Sequence, residues 1–185
     1  DEIAYNNHDV DDGLRSGVLT LEQLQGVSLF ARHAAEVSAE FPSIAGRRRV
    51  HETIRRMIDA QVTDLLAESA RRIAAAAPAA LEDVRSAPEL IGFSAAMAEE
   101  NRALKGFLRE HLYRHFEVLR MTAKARRVIH DLFGAFVTDP RLLPPQYQAM
   151  ADAGGIERAT ADYIAGMTDR YSMREHRRLF AVSEF

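Results

Sequence analysis

The chain holds no cysteine, and of its 24 basic residues only Lys105 and Lys124 are lysines. Without thiols there are neither disulfides nor thiolate metal sites, which allows a reducing compartment. No apolar run approaches the ~20 residues that span a bilayer, and no signal-peptide pattern opens the sequence. A cytoplasmic protein without membrane contact is therefore expected. No long alternating strand pattern and no internal repeat appear. Glycine-rich phosphate loops, GxSxG and GxGxxG are missing too, so those chemistries have no motif to rest on. The scarcity of lysine beside abundant alanine reads as base-composition bias, although arginine's forked donors would also suit phosphate.

What is present is helical. At 185 residues, 47% hydrophobic, 28% charged and with a formal net charge of −3, the chain can bury the core of one domain, or most of one. A sequence that opens on Asp1 rather than Met is expected to be a portion of a longer protein. The apolar spacing predicts an opening helix stopped by glycines at 13 and 17. Thr20-Leu-Glu-Gln23 has the form of a capping box. A helix over about 27–40 is closed by Pro42, and a long amphipathic one runs from about Gly46 into the 70s until Pro78 and Pro88. Ser94 is placed to cap a helix reaching about His115, and another carries Val118 to Phe136. A single turn is expected at 146–151 and one last helix over about 156–179. The fold class is all-α, a multi-helix array.

The opening stretch, Asp1-Glu-Ile-Ala-Tyr5-Asn-Asn-His8-Asp9-Val-Asp-Asp12, organises the rest. Wound at about 100° per residue, it gathers Asp1, Tyr5, His8, Asp9 and Asp12 on one face and Ile3, Val10 and Leu14 on the other. Carboxylates sharing a face repel unless water, a cation or donors intervene, so this face is either solvated surface or part of a site. A second stretch, Asp162-Tyr163-Ile-Ala-Gly166-Met-Thr-Asp169-Arg170-Tyr171, repeats that logic. Asp162, Gly166 and Asp169 share one face of the expected last helix, Ile164 and Tyr171 another. A glycine at mid-helix points to a close approach by backbone or ligand.

The run Asp1-x-x-x-Tyr5-x-x-His8-Asp9-x-x-Asp12 resembles the closing helix of the HD-superfamily deoxynucleoside triphosphate triphosphohydrolases, the dGTPase-like proteins. The 162–171 stretch resembles that family's motif near the C-terminus. The resemblance covers essentially the whole chain, as the C-terminal portion of such an enzyme. It implies that residues 1–17 are the terminal helix of the HD catalytic core and 18–185 a helical phosphohydrolase-associated region. It further implies hydrolysis of a dNTP to a deoxynucleoside and triphosphate, with Mg²⁺ or Mn²⁺ held by a His, a His-Asp pair and a final Asp. Asp1 falls at that final Asp. The His8-Asp9 pair is not the metal pair, which lies upstream in the family. Tyr5 and Asp9 fall where relatives contact the deoxyribose, Tyr5 against the sugar and Asp9 accepting from the 3′-hydroxyl, a contact that discriminates strongly. Asp162 and Asp169 are carried as substrate-pocket residues. With the other ligands outside it, this chain alone is expected to be inactive and to hold no metal. Relatives assemble as homo-oligomers, so one is expected here.

Each reading has a plainer rival. Tyr5 as a core aromatic, His8 as a surface residue, Asp12 as a helix anchor or arginine partner, and the 162–171 stretch as helix packing with an Asp–Arg pair need no site. Arg47-Arg48-Arg49, Arg55-Arg56 and Arg177-Arg178 read as solvated ion-pair partners before they read as triphosphate or nucleic-acid contacts. His111 and His115 stand four apart and read as structural rather than as a metal pair. The alternative function is a non-enzymatic helical module for oligomerisation or for sensing nucleotide or nucleic acid. Against a nucleic-acid regulator stands an isoelectric point near 6.2.

Overall fold

A computed structural model describes residues 1–182, and among them every regular element is a helix. The helices gather into two compact units, Asp1–His115 and a second that begins at Phe116.

The first unit comprises α1 (Glu2–Ser16), α2 (Leu21–Leu24), α3 (Ser28–Glu40), α4 (Gly46–Ala76), α5 (Leu81–Ser86) and α6 (Ala95–Leu108). Val10 of α1, Phe30 of α3, Met57 of α4 and Leu104 and Leu108 of α6 meet with Leu19 and Leu24 in one core. Truncating any of these to alanine would cost about 2–5 kcal/mol. Residues 1–17, assigned by the resemblance to a catalytic core, share this core within the chain.

Local chemistry sets the boundaries. Gly17 ends α1 in the left-handed region, φ 78°, and its N–H bonds the Leu14 carbonyl. Gly13 does different work, because a Cβ there would come within 2.5 Å of Leu19 Cδ1 where the returning chain crosses the helix. The predicted capping box is complete, Thr20 Oγ1 accepting from Gln23 N and Gln23 Oε1 accepting from Thr20 N. Ser94 caps α6, accepting from Met97 N, and its own hydroxyl donates to Asp64 at 2.6 Å. Arg72 donates to the carbonyls of Glu89 and Phe93. These bonds fasten the irregular 87–94 segment along α4. The sequence reading missed α5, just ahead of which the N–H groups of Ala79 and Ala80 both donate to Asp83. It also ran α6 straight to 115, whereas the helix passes into one π-helical turn over Arg109–Tyr113.

The second unit is α7 (Phe116–Thr138), a 3₁₀ turn at Pro140–Leu142, α8 (Pro145–Gly154), α9 (Ile156–Ala165) and α10 (Asp169–Phe180). Its core is Val128, Leu132, Phe136, Leu143 and Tyr163. The turn expected at 146–151 is a full helix, α8, started by Pro145 at its first position. The single last helix expected over 156–179 is two. Gly166 ends α9, and Thr168 restarts the chain by accepting a hydrogen bond from Tyr171 N. An N-capping hydroxyl three residues ahead of its donor competes with helix continuation, and glycine lowers the cost of the break. Gly166 therefore marks a helix end, and among the described residues the nearest atoms a Cβ would meet are its own α9 carbonyls at 3.6 Å.

Candidate functional site

α1 presents the two faces that its spacing predicts. Val10 is fully buried, Tyr5 is 71% exposed, and Asp1, His8 and Asp12 lie at the surface. Tyr5 takes no part in the core that the described residues form. Asp1 stands at the N-cap position with no side-chain cap bond, while its carbonyl accepts from Tyr5 N at 2.8 Å. Its carboxylate forms no hydrogen bond or ion pair with a described residue. His8 and Asp12 enter no ion pair with a described residue, so the arginine partner considered for Asp12 is not found.

Asp9 is the residue the tertiary structure engages. The Tyr113 hydroxyl, brought in by the π-helical turn after α6, donates to its carboxylate. Burial, and after it the bond to Asp9, pushes the Tyr113 phenol up to about 12. The bond spans about a hundred residues of sequence, so spacing within α1 could not reveal it.

A polar ladder fastens α1 to α6 beside this pair. Asn6 Nδ2 donates to Asn101 Oδ1 at 3.1 Å, and Asn101 Nδ2 donates to Glu2 Oε1 at 2.7 Å. Lys105 Nζ donates to the same Glu2 oxygen at 3.1 Å. Lys105 first, and then Asn101, hold the Glu2 carboxyl below its usual range. Asn6 and Asn101 are both buried, which makes their mutual bond costly to break. Sequence reasoning passed over all four residues. A signal was there, since Asn6 and Asn7 flank the Ile3, Val10 and Leu14 stripe at helical spacing.

Between α1 and α6 opens a cleft of about 670 Å³, walled by Asn6, Arg102, Lys105, Arg109, Tyr113 and Arg114. Its cations are only partly neutralised. Arg102 pairs with Glu99 and Lys105 with Glu2, Arg114 stands 4.0 Å from Glu110, and Arg109 has no ion-pair partner among the described residues. Such a cleft can receive a phosphate-bearing ligand and set it beside Tyr113 and the Asp9 carboxylate that Tyr113 holds.

The second stretch is built differently. Tyr163 lies in the core, edge-on to Phe136 with centroids 5.4 Å apart, and shares a 3.1 Å hydroxyl contact with Tyr171. Asp162 is paired with Arg158 at 2.9 Å, and Asp169 sits in the exposed first turn of α10. Asp1, Tyr5 and Asp9 thus belong to the first unit, Asp162 and Asp169 to the second. Of the arginine clusters, Arg55 and Arg56 are tied to Glu52, with Arg56 also to Glu40, and Arg178 to Glu175. No group of three His, Cys, Asp or Glu able to hold a metal exists among the described residues.

Residues 91–178 match the profile of the phosphohydrolase-associated domain. Over 98% of its length the chain is 60% identical to a deoxyguanosinetriphosphate triphosphohydrolase-like protein of Ralstonia nicotianae. Over its full length it is 59% identical to one of Azoarcus sp. and 53% identical to one of Nitrosomonas europaea. The chain belongs to the deoxyguanosinetriphosphate triphosphohydrolase-like family. It spans about half the length of these relatives, 47% of the first and 48% of the second, and corresponds to their C-terminal portion. The phosphohydrolase-associated match takes in Tyr113 and the whole 162–171 stretch, while α1 precedes it.

Proposed function

We propose that the intact protein is a metal-dependent dNTP triphosphohydrolase, releasing a deoxynucleoside and triphosphate, and that this chain supplies its sugar-reading helix and a cationic pocket wall. One observation carries the reading: the Asp9 carboxylate is held by the Tyr113 hydroxyl at the edge of a cleft whose charged wall residues are cations. Tyr113 occupies one acceptor site of Asp9 and leaves others for the 3′-hydroxyl of a deoxyribose. Tyr5, exposed one turn earlier, offers its ring to the sugar and leaves little room for a 2′-hydroxyl. Lys105, Arg109 and Arg114 neutralise phosphate charge.

Among the described residues no group of three His, Cys, Asp or Glu could hold a metal, and Asp1 is a single candidate ligand. In the intact protein Asp1 would help to hold a Mg²⁺ or Mn²⁺ together with the His and His-Asp ligands that the resemblance implies, and the cation would polarise the α-phosphate. Asp162 and Asp169 belong to the same proposal as pocket residues, and a cytoplasmic homo-oligomer remains its expected form.

The test is triphosphate release from each dNTP by the intact protein with Mg²⁺ or Mn²⁺. Activity should vanish in Asp1→Ala. Asp9→Asn should erode the preference for deoxyribose over ribose substrates, with folding checked by circular dichroism. The 185-residue chain alone should release none. Release of single phosphates, or of nothing from any dNTP with or without a second nucleotide present, sinks the reading.

A further inference from the structure

The second unit holds a groove of about 530 Å³ between α7 and α10, with Lys124, Arg170, Arg174 and Arg177 around an apolar floor of Val128 and Met173. Elsewhere on this arginine-rich chain many cations are tied to carboxylates, as Arg55 and Arg56 are to Glu52 and Arg71 and Arg72 to Glu68. None of the four groove cations forms an ion pair with a described residue. His176 also lines the groove and pairs with Asp131 at 2.9 Å, while Glu175 of α10 is engaged by Arg178 at 2.7 Å. Arg174 lies instead over the Tyr171 ring, 5.0 Å from its centroid. Like charges gathered around an apolar floor raise one another's energy, and an anion between them removes that repulsion.

We propose that this groove binds a short run of consecutive phosphates, as in inorganic triphosphate or the polyphosphate of a nucleotide. Residues 170, 174 and 177 recur at i, i+4 and i+7, a stripe of roughly 10 Å along one helix face. Several neighbouring phosphates can engage such a stripe at once, whereas a single phosphate cannot. Arginine forks favour bidentate contact with each phosphate. The groove is open to solvent, and its volume of about 530 Å³ falls in the range of small-molecule sites and suits a compact ligand. The site stands on the second unit alone and does not depend on the reading of the α1 cleft.

The test is a calorimetric titration of the full 185-residue chain, without metal, against inorganic triphosphate, orthophosphate and a single-stranded oligothymidylate. Triphosphate should bind at least about tenfold more tightly than orthophosphate. The pair Arg174→Ala with Arg177→Ala should weaken it by a further tenfold or more. Arg48→Ala with Arg49→Ala, which removes equal charge from α4, should leave it within about twofold. A thermal melt of each variant establishes folding, and if the double variant melts early the single Arg177→Gln must still weaken binding several-fold. Equal loss in the α4 variant, or no preference for triphosphate over orthophosphate, overturns the proposal. So does tight binding of the oligonucleotide without binding of triphosphate, which would make the groove a nucleic-acid track.

Discussion

Replacing Asn101 with Ala should loosen the site more than its place in mid-helix suggests. The side chain accepts from Asn6 at 3.1 Å and donates to Glu2 at 2.7 Å, with Asn6 and Asn101 only 6% and 5% exposed. On the Glu2 side little is lost, because that carboxylate is half-exposed and keeps Lys105. On the Asn6 side a buried amide loses its partner, which costs about 1–3 kcal/mol. With the packing lost from the Asn101 side chain, about 2–3 kcal/mol in total is expected. For a chain of this size that is a fall in Tm of about 5–10 °C by calorimetry. Asn101→Asp separates the terms, since it keeps the acceptor for Asn6 but sets a carboxylate against Glu2. That variant should be destabilised at neutral pH and recover as the acids protonate. The decisive measurement is the double-mutant cycle with Asn6→Ala, which should show coupling of about 1 kcal/mol. A loss below about 0.5 kcal/mol in Asn101→Ala, or simple additivity in the cycle, would refute the ladder as what fastens α1 to α6.

Two further outcomes are expected. Of the five tyrosines, Tyr113 and Tyr163 should ionise late, both through burial first. Because the folded value of Tyr113, about 12, exceeds its ordinary 10, its contribution to stability is full below pH 10 and is lost as pH rises through 12. Phenolate absorbance followed against pH should lose one late titration in Tyr113→Phe and see it move earlier in Asp9→Asn; an unchanged late fraction in both would contradict the contact. Gly13→Ala sets a Cβ 2.5 Å from Leu19 Cδ1 in the core, so urea denaturation should show a loss of about 1–3 kcal/mol despite alanine's better helix propensity. A gain in stability would mean that Leu19 yields at no cost.

Much of the architecture was legible because its causes are local. The Thr20 capping box, Ser94 as an N-cap and the wet and dry faces of α1 each follow from neighbours within one helical turn. The break at 166–168 was legible in principle, since Gly166 and Thr168 are an end signal and a start signal in succession. It was overridden by the apolar periodicity that runs through both helices. The short helix α5 escaped because its cap is a carboxylate serving the N–H groups ahead of it, between two prolines that read as loop.

By itself the sequence determined that this is a helical chain of the triphosphohydrolase-like family, and which residues of α1 face outward together, because helical periodicity and motif spacing are properties of the covalent order. Only the tertiary structure decided which of those residues is engaged. Asp9 meets Tyr113, and Asn6 meets Asn101, across about a hundred residues. Contacts of that range depend on how α6 and its π-helical turn pack against α1, and no local propensity encodes them.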